Sequence, residues 1–297
     1  MHDVFYFTDV HGQLDLFQTM RDWCLKQDPE CMIVFGGDAC DRGEFGYDIM
    51  QAILDDPQII YIRGNHEDMF IRAAREAVQQ YPEIANTTHT LDEATEIIGN
   101  CRWLHWFGLS MANGGRPTLR DWIVEGCSTE FVDRLEENTI VTFALDPQFQ
   151  APICFSHAGG SYEAWKRLYD AEHGDLDTFD EDDYQEMIWD RYKLWSCWPE
   201  DKIIVFGHTP VCYLHEYTNA KWMPEREMQP VAYKPEYPKD NEVSGWHIDM
   251  DTGMTFYGRG YVLNCLTMEV TGFWDHDCQK QDSKRPLEIG FENFKII

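Results

Sequence analysis

The sequence VFYFTDVHG at residues 4–12 decides the fold, because it joins an apolar run to a polar cluster. The run predicts a strand over Val4–Thr8, and its carboxyl end is followed by the polar cluster that contains Asp9, His11 and Gly12. Three later runs end in the same way, in the clusters Gly37-Asp38-Ala39-Cys40-Asp41-Arg42-Gly43, Gly64-Asn65-His66-Glu67 and Gly207-His208-Thr209-Pro210. Strands that end in such side chains deliver oxygen and nitrogen donors to the edge of an α/β sheet where ligands bind.

The first eighty residues alternate between strand and helix patterns. Strands are predicted over Val4–Thr8, Met32–Phe35 and Ile59–Ile62, and helices over Leu14–Gln27, Phe45–Leu54 and Met69–Gln80. Such a βαβαβα order predicts a mostly parallel sheet with right-handed crossovers. The three ligand loops should therefore open on the same edge.

The rest of the chain departs from this alternation. Residues 81–150 are helical and irregular, and we interpret them as a helical cap inserted beside the site, within a single domain of residues 1–297. Its tryptophans, Trp103, Trp106 and Trp122, are more typical of cap core than of a substrate-recognition surface. Strands resume at Ile153–Phe155, Ile203–Phe206, His247–Ile248 and Tyr261–Thr267, the last with hairpin character. An acidic stretch at 170–183 and a proline-rich stretch at 224–238 predict solvated loops.

Composition excludes several classes of protein. The formal net charge is -29, from 24 Lys and Arg against 53 Asp and Glu, so bulk binding to nucleic acid or to an anionic membrane is disfavoured. No stretch reaches the roughly 18 apolar residues of a membrane span, and no basic leader precedes the first strand, so we expect a cytoplasmic protein. The ten cysteines form no CxxC pair and are interpreted as reduced core thiols. The oligomeric state stays open.

The residues that follow the predicted strands include a set of candidate metal ligands. The candidates are Asp9, His11, Asp38, Asn65, His157 and His208. Carboxylate, imidazole and amide donors without a thiolate suit hard or borderline ions, with manganese the first expectation and iron or zinc as alternatives. Asp38 follows the middle strand and can bridge two ions. Two ions roughly 3.5–4 Å apart can clamp a phosphoryl group and share an activated hydroxide for in-line attack.

These motifs resemble the calcineurin-like metallophosphoesterase superfamily and, within it, the phosphoprotein phosphatase family. The resemblance runs from Asp9 to His208 in motif order, and it extends to Trp189-Asp190-Arg191 and Asp251-Thr252-Gly253. Compact Ser/Thr phosphatases of bacteria and phage lambda are the most similar members. The resemblance implies an α/β fold, a four-layer sandwich in which helices flank two mixed β-sheets.

The resemblance also implies a role for each motif residue. Asp9, His11 and Asp38 would hold the first of two divalent or trivalent ions. The second ion would be held by Asp38, Asn65, His157 and His208.

Four further residues would handle the substrate. His66 would give a proton to the leaving group, and Asp41 would orient its ring and favour its charge. Arg42 and Arg191 would grip the phosphate oxygens by bidentate hydrogen bonds.

Simpler interpretations stand beside these. A lone histidine at a strand end is more often a hydrogen-bonded structural residue, and Asp41-Arg42 can be a surface ion pair at a turn. Trp189-Asp190-Arg191 can be a packed aromatic residue with an exposed ion pair.

Some positions depart from the family pattern. Thr8 stands where the family usually has glycine, and we expect it to alter loop packing without touching a ligand. Pro210 replaces the second histidine of the G-H-x-H found in nuclease branches, which favours hydrolysis of monoesters. Tyr257 and Tyr261 lie near the late motif but have no assigned role.

The sequence therefore predicts a hydrolase of phosphoric monoesters. The leading hypothesis is a Ser/Thr phosphoprotein phosphatase that acts by direct attack of a metal-bridging hydroxide. Its alternatives are a hydrolase of diadenosine tetraphosphate or a small-molecule phosphatase, and, from another class, a non-catalytic metal-binding interaction module. The expected partner is a phosphoprotein or a small phosphorylated molecule.

Overall fold

A computed structural model describes most of the chain. The described residues are 2–145, 152–174, 179–192, 194, 196–214, 229–235, 244–275 and 289–295. Residues 175–178 of the predicted acidic loop, most of the proline-rich stretch, and Cys278 lie outside them.

Two mixed β-sheets form the centre of the fold. The first has the strand order β11-β10-β9-β1-β2-β3, and the second has the order β4-β5-β6-β8-β7. The strands are β1 Val4–Phe7, β2 Met32–Phe35, β3 Ile59–Tyr61, β4 Phe143–Leu145, β5 Ile153–Phe155, β6 Ile203–Phe206, β7 Val231–Tyr233, β8 Trp246–Asp249, β9 Arg259–Asn264, β10 Glu269–Asp275 and β11 Ile289–Lys295. β1, β2 and β3 are parallel, as are β5, β6 and β8, whereas the remaining pairings are antiparallel.

Helices cover the outer faces of both sheets. They are α1 Leu14–Gln27, α2 Gly46–Leu54, α3 Asn65–Gln80, α4 Leu91–Cys101, α5 His105–Ala112, α6 Arg116–Val124, α7 Thr129–Glu137, α8 Tyr162–Glu172, α9 Glu181–Trp189 and α10 Met254–Tyr257. Short 3₁₀ turns lie at Pro82–Ile84 and Val211–Tyr213. None of the described helices is both long and apolar enough to cross a membrane.

The alternation of side chains along β1 creates the layers. Phe5 and Phe7 pack into a core shared with α1 to α7, while Val4 and Tyr6 point into a second core between the sheets. There the ring of Tyr6 stacks on that of Phe155 from β5, with centroids 5.5 Å apart. A third core lies between the second sheet and helices α8 and α9. The predicted four-layer α/β sandwich is thereby confirmed.

Helices α4 to α7 belong to the same core as the first three helices. Phe107, Trp122 and Phe131 are buried there, and Phe70 of α3 packs edge-on against the last two. Of the predicted tryptophan core, Trp122 is fully buried, whereas Trp103 is 79% exposed. The prediction was therefore wrong for Trp103, whose ring packs instead under the guanidinium of Arg102 at the surface.

The two predicted loops were wrong in part, because residues 170–172 end α8, residues 181–183 begin α9, and Val231–Tyr233 of the proline-rich stretch forms β7. Most other predicted boundaries agree with the structure to within two residues, but two differ by more. α3 begins at Asn65 and not at Met69, because the carboxylate of Glu67 accepts the N–H of Gly64 at 2.9 Å and so caps the helix start. β9 ends at Asn264 and does not reach Thr267. The Asn264 side chain accepts the N–H of Leu266 at 2.9 Å, which closes the turn into β10.

Most of the described cysteines lie in the core, as predicted. Seven of the nine are buried, and Cys197 and Cys212 are half-buried.

Candidate metal centre

Parallel strands bring the predicted ligands to one place. Asp9 and His11 follow β1, Asp38 follows β2, and Asn65 opens α3 after β3. From the second sheet, His157 follows β5 and His208 follows β6. All six side chains are at most 6% exposed. The carboxyl ends of both sheets therefore meet in a single buried site, as the motif pattern predicted.

The backbone at this site is unusual. Among the described residues, nine that are not glycine have a positive φ, and six of them are predicted site residues. These six are Asp9, His11, Asp38, Asp41, Arg42 and His208, with φ between 41° and 68°. Such a conformation costs of order 1 kcal/mol or more for each residue and persists only when the surroundings enforce it. The concentration of this backbone conformation among the predicted site residues indicates a functional site.

One group of side chains surrounds Asp38 Oδ2. His11 Nδ1 donates to the carbonyl of Cys40 at 2.9 Å, which turns His11 Nε2 toward Asp38 Oδ2 at 3.5 Å and Asp9 Oδ1 at 4.0 Å. His66 Nε2 lies 3.9 Å from the same Asp38 oxygen. A backbone bond behind a histidine fixes the tautomer that presents the other nitrogen to a metal.

A second group surrounds the other oxygen of Asp38. His157 Nδ1 donates to the Gly36 carbonyl at 2.8 Å, and its Nε2 lies 3.3 Å from Asp38 Oδ1 and 3.1 Å from Asn65 Oδ1. His208 uses the opposite nitrogen, since its Nδ1 lies 2.9 Å from Asn65 Oδ1 and its Nε2 lies 3.1 Å from the carbonyl of Trp189.

The two groups fit two metal ions. Ligand atoms of His11, Asp38 and His66 lie within 4.8 Å of one another, and so do those of Asp38, His157 and His208. Asp38 belongs to both groups and offers one carboxylate oxygen to each. The combination of imidazole and oxygen donors suits borderline divalent ions, so the residues present fit a dinuclear centre with Asp38 as the bridge.

The protonation of these groups also favours a cation. Burial, with the charge of His66, lowers the pKa of His11, and burial with the charge of His157 lowers that of His208, so both rings are uncharged at neutral pH. Burial opposes ionisation of Asp38, but His157 and His66 hold its pKa well below the usual value. Although burial disfavours a charged His157, the carboxylate of Asp38 raises its pKa to about 10. Without metal, a proton therefore supplies the positive charge that this site requires.

The predicted proton donor and its partner are in contact. His66 Nδ1 lies 2.8 Å from Asp41 Oδ2, and both side chains are almost completely buried. The Asp41 backbone is itself fixed, because its N–H donates to the hydroxyl of Thr118 from α6 at 2.9 Å. The ring of His66 is thereby oriented with Nε2 toward the centre of the site.

Arg42 lies across the first group. Its Nη1 donates to His11 Nε2 at 2.6 Å, and its Nη2 lies 3.1 Å from His66 Nε2. A metal ion bound by His11 would compete with Arg42 for the lone pair on Nε2. The backbone N–H of Arg42 donates to the carbonyl of Gly114, and this bond connects the predicted cap to the site.

Arg191 lies at the margin. Its Nη2 donates to the carbonyl of His208 at 3.4 Å, and its charge contributes to the low pKa of His208. The structure therefore places Arg191 beside His208, at the second group.

Several groups at the site have no predicted role. Glu67 is fully buried and accepts the N–H groups of Asp38 at 2.8 Å, Ala39 at 2.8 Å and Gly64 at 2.9 Å. Its position as the third residue of α3 after a glycine was the available signal. Asp249 and Asp251 are buried beside Asp9. Burial, and then the negative charge of Asp251, raises the pKa of Asp9 and the pKa of Asp249. Asp251 lay in a quoted motif, whereas Asp249 had no signal in the sequence.

The expectation for Thr8 was wrong. Its hydroxyl donates to Asp9 Oδ2 at 2.7 Å, so this residue does touch a predicted ligand. Of the unassigned tyrosines, Tyr261 is buried between the sheets, and Tyr257 is 38% exposed near Cys212.

Solved structures that match this chain include phosphatases. The cold-active protein-tyrosine phosphatase of the psychrophile Shewanella sp. is 15% identical with a TM-score of 0.48, over 92% of this chain and 78% of that one. A metallophosphoesterase from Sphaerobacter thermophilus is 14% identical with a TM-score of 0.41, over 91% and 86% of the two chains. A protein serine/threonine phosphatase from Saccharomyces cerevisiae is 12% identical with a TM-score of 0.42, over 100% and 80%.

Comparison with curated proteins finds no significant match. The family model of the calcineurin-like phosphoesterases, in contrast, matches residues 3–237, which include every predicted ligand. This match, over most of the chain, shows that the protein belongs to the calcineurin-like phosphoesterase family.

Proposed function

We propose that this protein is a metal-dependent phosphomonoesterase, and specifically a Ser/Thr phosphoprotein phosphatase. The observation that carries the proposal is the position of Asp38, which is shared by two groups of ligand atoms and lies beside the His66–Asp41 pair. Two ions held in this way, when bound, supply Lewis acidity and the nucleophile for hydrolysis of a phosphate ester. Asp9, His11 and Asp38 would hold one ion, and Asp38, Asn65, His157 and His208 the other.

The remaining residues divide the work on the substrate. His66 Nε2 faces the centre and is the group placed to protonate the leaving oxygen, while Asp41 holds Nδ1 and stabilises the imidazolium before transfer. A group that donates a proton has no purpose in a protein that only binds metal. The buried His66–Asp41 pair therefore supports an enzyme over a binding module.

Arg42 and Arg191 are the cations available for the phosphate. Arg42 reaches the centre from the first group, and Arg191 borders the second. Planar guanidinium groups can hold two phosphate oxygens at once, and such bonds strengthen as charge develops on those oxygens. The preference for Ser/Thr phosphoproteins follows from the G-H-T-P form of the last histidine motif and from the resemblance described above.

The test begins with the purified protein loaded with Mn²⁺. We expect turnover of an aryl phosphate and of a phosphoserine peptide. Asp38→Asn should lose both activities and His66→Asn the activity on the peptide, in variants that keep the wild-type circular dichroism spectrum. Full activity of either variant on the phosphoserine peptide would contradict the assignment. Stoichiometric binding of metal with no turnover under Mn²⁺, Fe²⁺ or Zn²⁺ would instead support a metal-binding module.

One observation favours a second candidate, a hydrolase of dinucleotide polyphosphates. Phe256 of α10 is 59% exposed, and the guanidinium carbon of Arg42 lies 5.7 Å from its ring centroid. An exposed ring beside a phosphate-binding arginine can stack on a nucleobase. Rates on a panel of phosphoserine and phosphothreonine peptides and on diadenosine tetraphosphate separate the two, and Phe256→Leu lowers only the dinucleotide rate if that candidate is correct.

A further inference from the structure

The side chain of Thr8 contacts the Asp9 carboxylate directly. The hydroxyl is buried and donates to Asp9 Oδ2 at 2.7 Å. The backbone N–H of His208 is shared by the two oxygens, at 3.1 Å from Oδ2 and 3.2 Å from Oδ1. The Thr8 hydroxyl therefore distinguishes Oδ2 from Oδ1, which is the oxygen that lies 4.0 Å from His11 Nε2.

The surrounding backbone leaves little freedom for this arrangement. A Cβ atom at Gly207 would lie 2.1 Å from Asp9 Oδ2 and 2.7 Å from Thr8 Cγ2, so glycine is required for the carboxylate and the threonine to pack there. The Asp9 N–H also donates to the Gly37 carbonyl at 3.0 Å. The main chain holds the position of Asp9, and the Thr8 hydroxyl acts on its carboxylate.

The rotation of a carboxylate about χ2 is otherwise soft. The two oxygens of an aspartate exchange places over a broad, roughly two-fold torsional profile, so packing of the main chain alone does not select one of them. A charge-assisted hydrogen bond to one oxygen does fix the orientation of the carboxylate, and it leaves the second oxygen available to bind a metal ion.

We propose that the Thr8 hydroxyl is a positioning group that holds Asp9 Oδ2 and so presents Oδ1 to the first metal ion. The inference rests on the proposed dinuclear centre and assigns to this chain a support that a glycine at the same position would lack. Thr8 touches neither substrate nor metal, and it acts through Asp9.

The test measures binding of Mn²⁺ by calorimetry on metal-free wild-type protein and on Thr8→Val, Thr8→Ala and Thr8→Ser. Partners of metal ligands typically contribute 10- to 100-fold in affinity, so we expect Thr8→Val to weaken one of the two binding events by roughly tenfold. Thr8→Ser keeps the hydroxyl and should restore the wild-type affinity. If Thr8→Val does not fold, the comparison of Thr8→Ala with Thr8→Ser decides in its place.

Thr142 provides a matched control. It is also a buried threonine whose hydroxyl donates to a carboxylate, that of Glu172 at 2.5 Å, but Glu172 is not a predicted metal ligand. Thr142→Val should lower thermal stability and leave the affinity for Mn²⁺ unchanged.

Two results would overturn the proposal. One is wild-type affinity in a folded Thr8→Val or Thr8→Ala variant, and the other is a Thr8→Ser variant as weak as Thr8→Ala, which would assign the effect to the methyl group. Because the test measures metal binding and not turnover, failure of the Thr8 proposal can be distinguished from failure of the proposed function. A wild-type protein that binds two Mn²⁺ ions without hydrolysing phosphate esters refutes the function and leaves the Thr8 comparison valid, whereas one that binds no Mn²⁺ refutes both.

Discussion

Single residues at this site carry out separable tasks. Asp38 is placed to join two metal positions, and the His66–Asp41 pair is placed to handle a proton. Because these groups act on different atoms, substitutions at each should fail in different ways.

The role of His66 can be tested by the choice of leaving group. A general acid matters most when the departing oxygen is strongly basic, so we expect His66→Asn to lose about 10²–10⁴-fold in kcat for a phosphorylated serine peptide. The loss should be much smaller for para-nitrophenyl phosphate, whose leaving group departs without a proton. Rates for wild type and variant on both substrates provide the measurement, and an equal loss on both would assign His66 to metal binding instead.

Protonation of the metal-free site predicts how metal affinity depends on pH. Since Asp38 raises the pKa of His157 to about 10, a proton occupies this ring at neutral pH and an ion must displace it. The affinity for Mn²⁺ should therefore rise with pH between 6 and 8, by about tenfold per unit for each proton displaced. Calorimetry at pH 7 in two buffers with different ionisation enthalpies counts the protons, and a count of zero would contradict the prediction.

At the scale of elements, the start of α3 organises the site more than any strand end. Glu67 lies in the first turn, and its carboxylate accepts N–H groups from the loop after β2 and from Gly64 before the helix. It thus ties the loop that carries Asp38 to the helix that carries Asn65 and His66.

Replacement of Glu67 by glutamine should therefore destabilise the fold. An amide has one acceptor oxygen for three buried N–H groups, and an unmade buried hydrogen bond to a charged group costs about 3 kcal/mol. Urea denaturation of the metal-free protein measures the loss. Glu93→Gln is the matched control, because Glu93 caps the start of α4 in the same way but is exposed, and its effect should be much smaller. Equal effects would show that burial of Glu67 is unimportant.

Which elements form could largely be predicted from the sequence, because the first three strands and two helices have strong periodic patterns. The start of α3 could not, since Gly64-Asn65-His66-Glu67 was interpreted as a loop and the capping bond depends on a glutamate three residues beyond the glycine. The contact between Thr8 and Asp9 was also missed, because a backbone with positive φ at Asp9 is not visible in the sequence.

At the scale of the whole molecule, convergence of the ligands follows from topology. Parallel strands in both sheets place their carboxyl ends at one edge, so motif order alone predicted which six residues meet. The contribution of the helices that follow residue 81 was not predictable in this way. Thr118 and Gly114 contact the Asp41-Arg42 turn through single hydrogen bonds that no periodic pattern marks.

The net charge of -29 should affect how phosphorylated substrates reach the site. A negatively charged protein repels a phosphate ester at long range, and salt weakens this repulsion, because the Debye length falls from about 30 Å at 0.01 M to about 10 Å at 0.1 M ionic strength. We therefore expect kcat/KM for an acidic phosphopeptide to rise several-fold over this range. A peptide of the same length with its flanking glutamates replaced by lysines should show the opposite trend, since attraction is then screened. Steady-state rates on the two peptides at fixed pH and saturating Mn²⁺ test the prediction. If kcat/KM depended on ionic strength in the same way for both peptides, the prediction would be wrong, and the positive charges of Arg42 and Arg191 would balance the negative charge of the protein near the site.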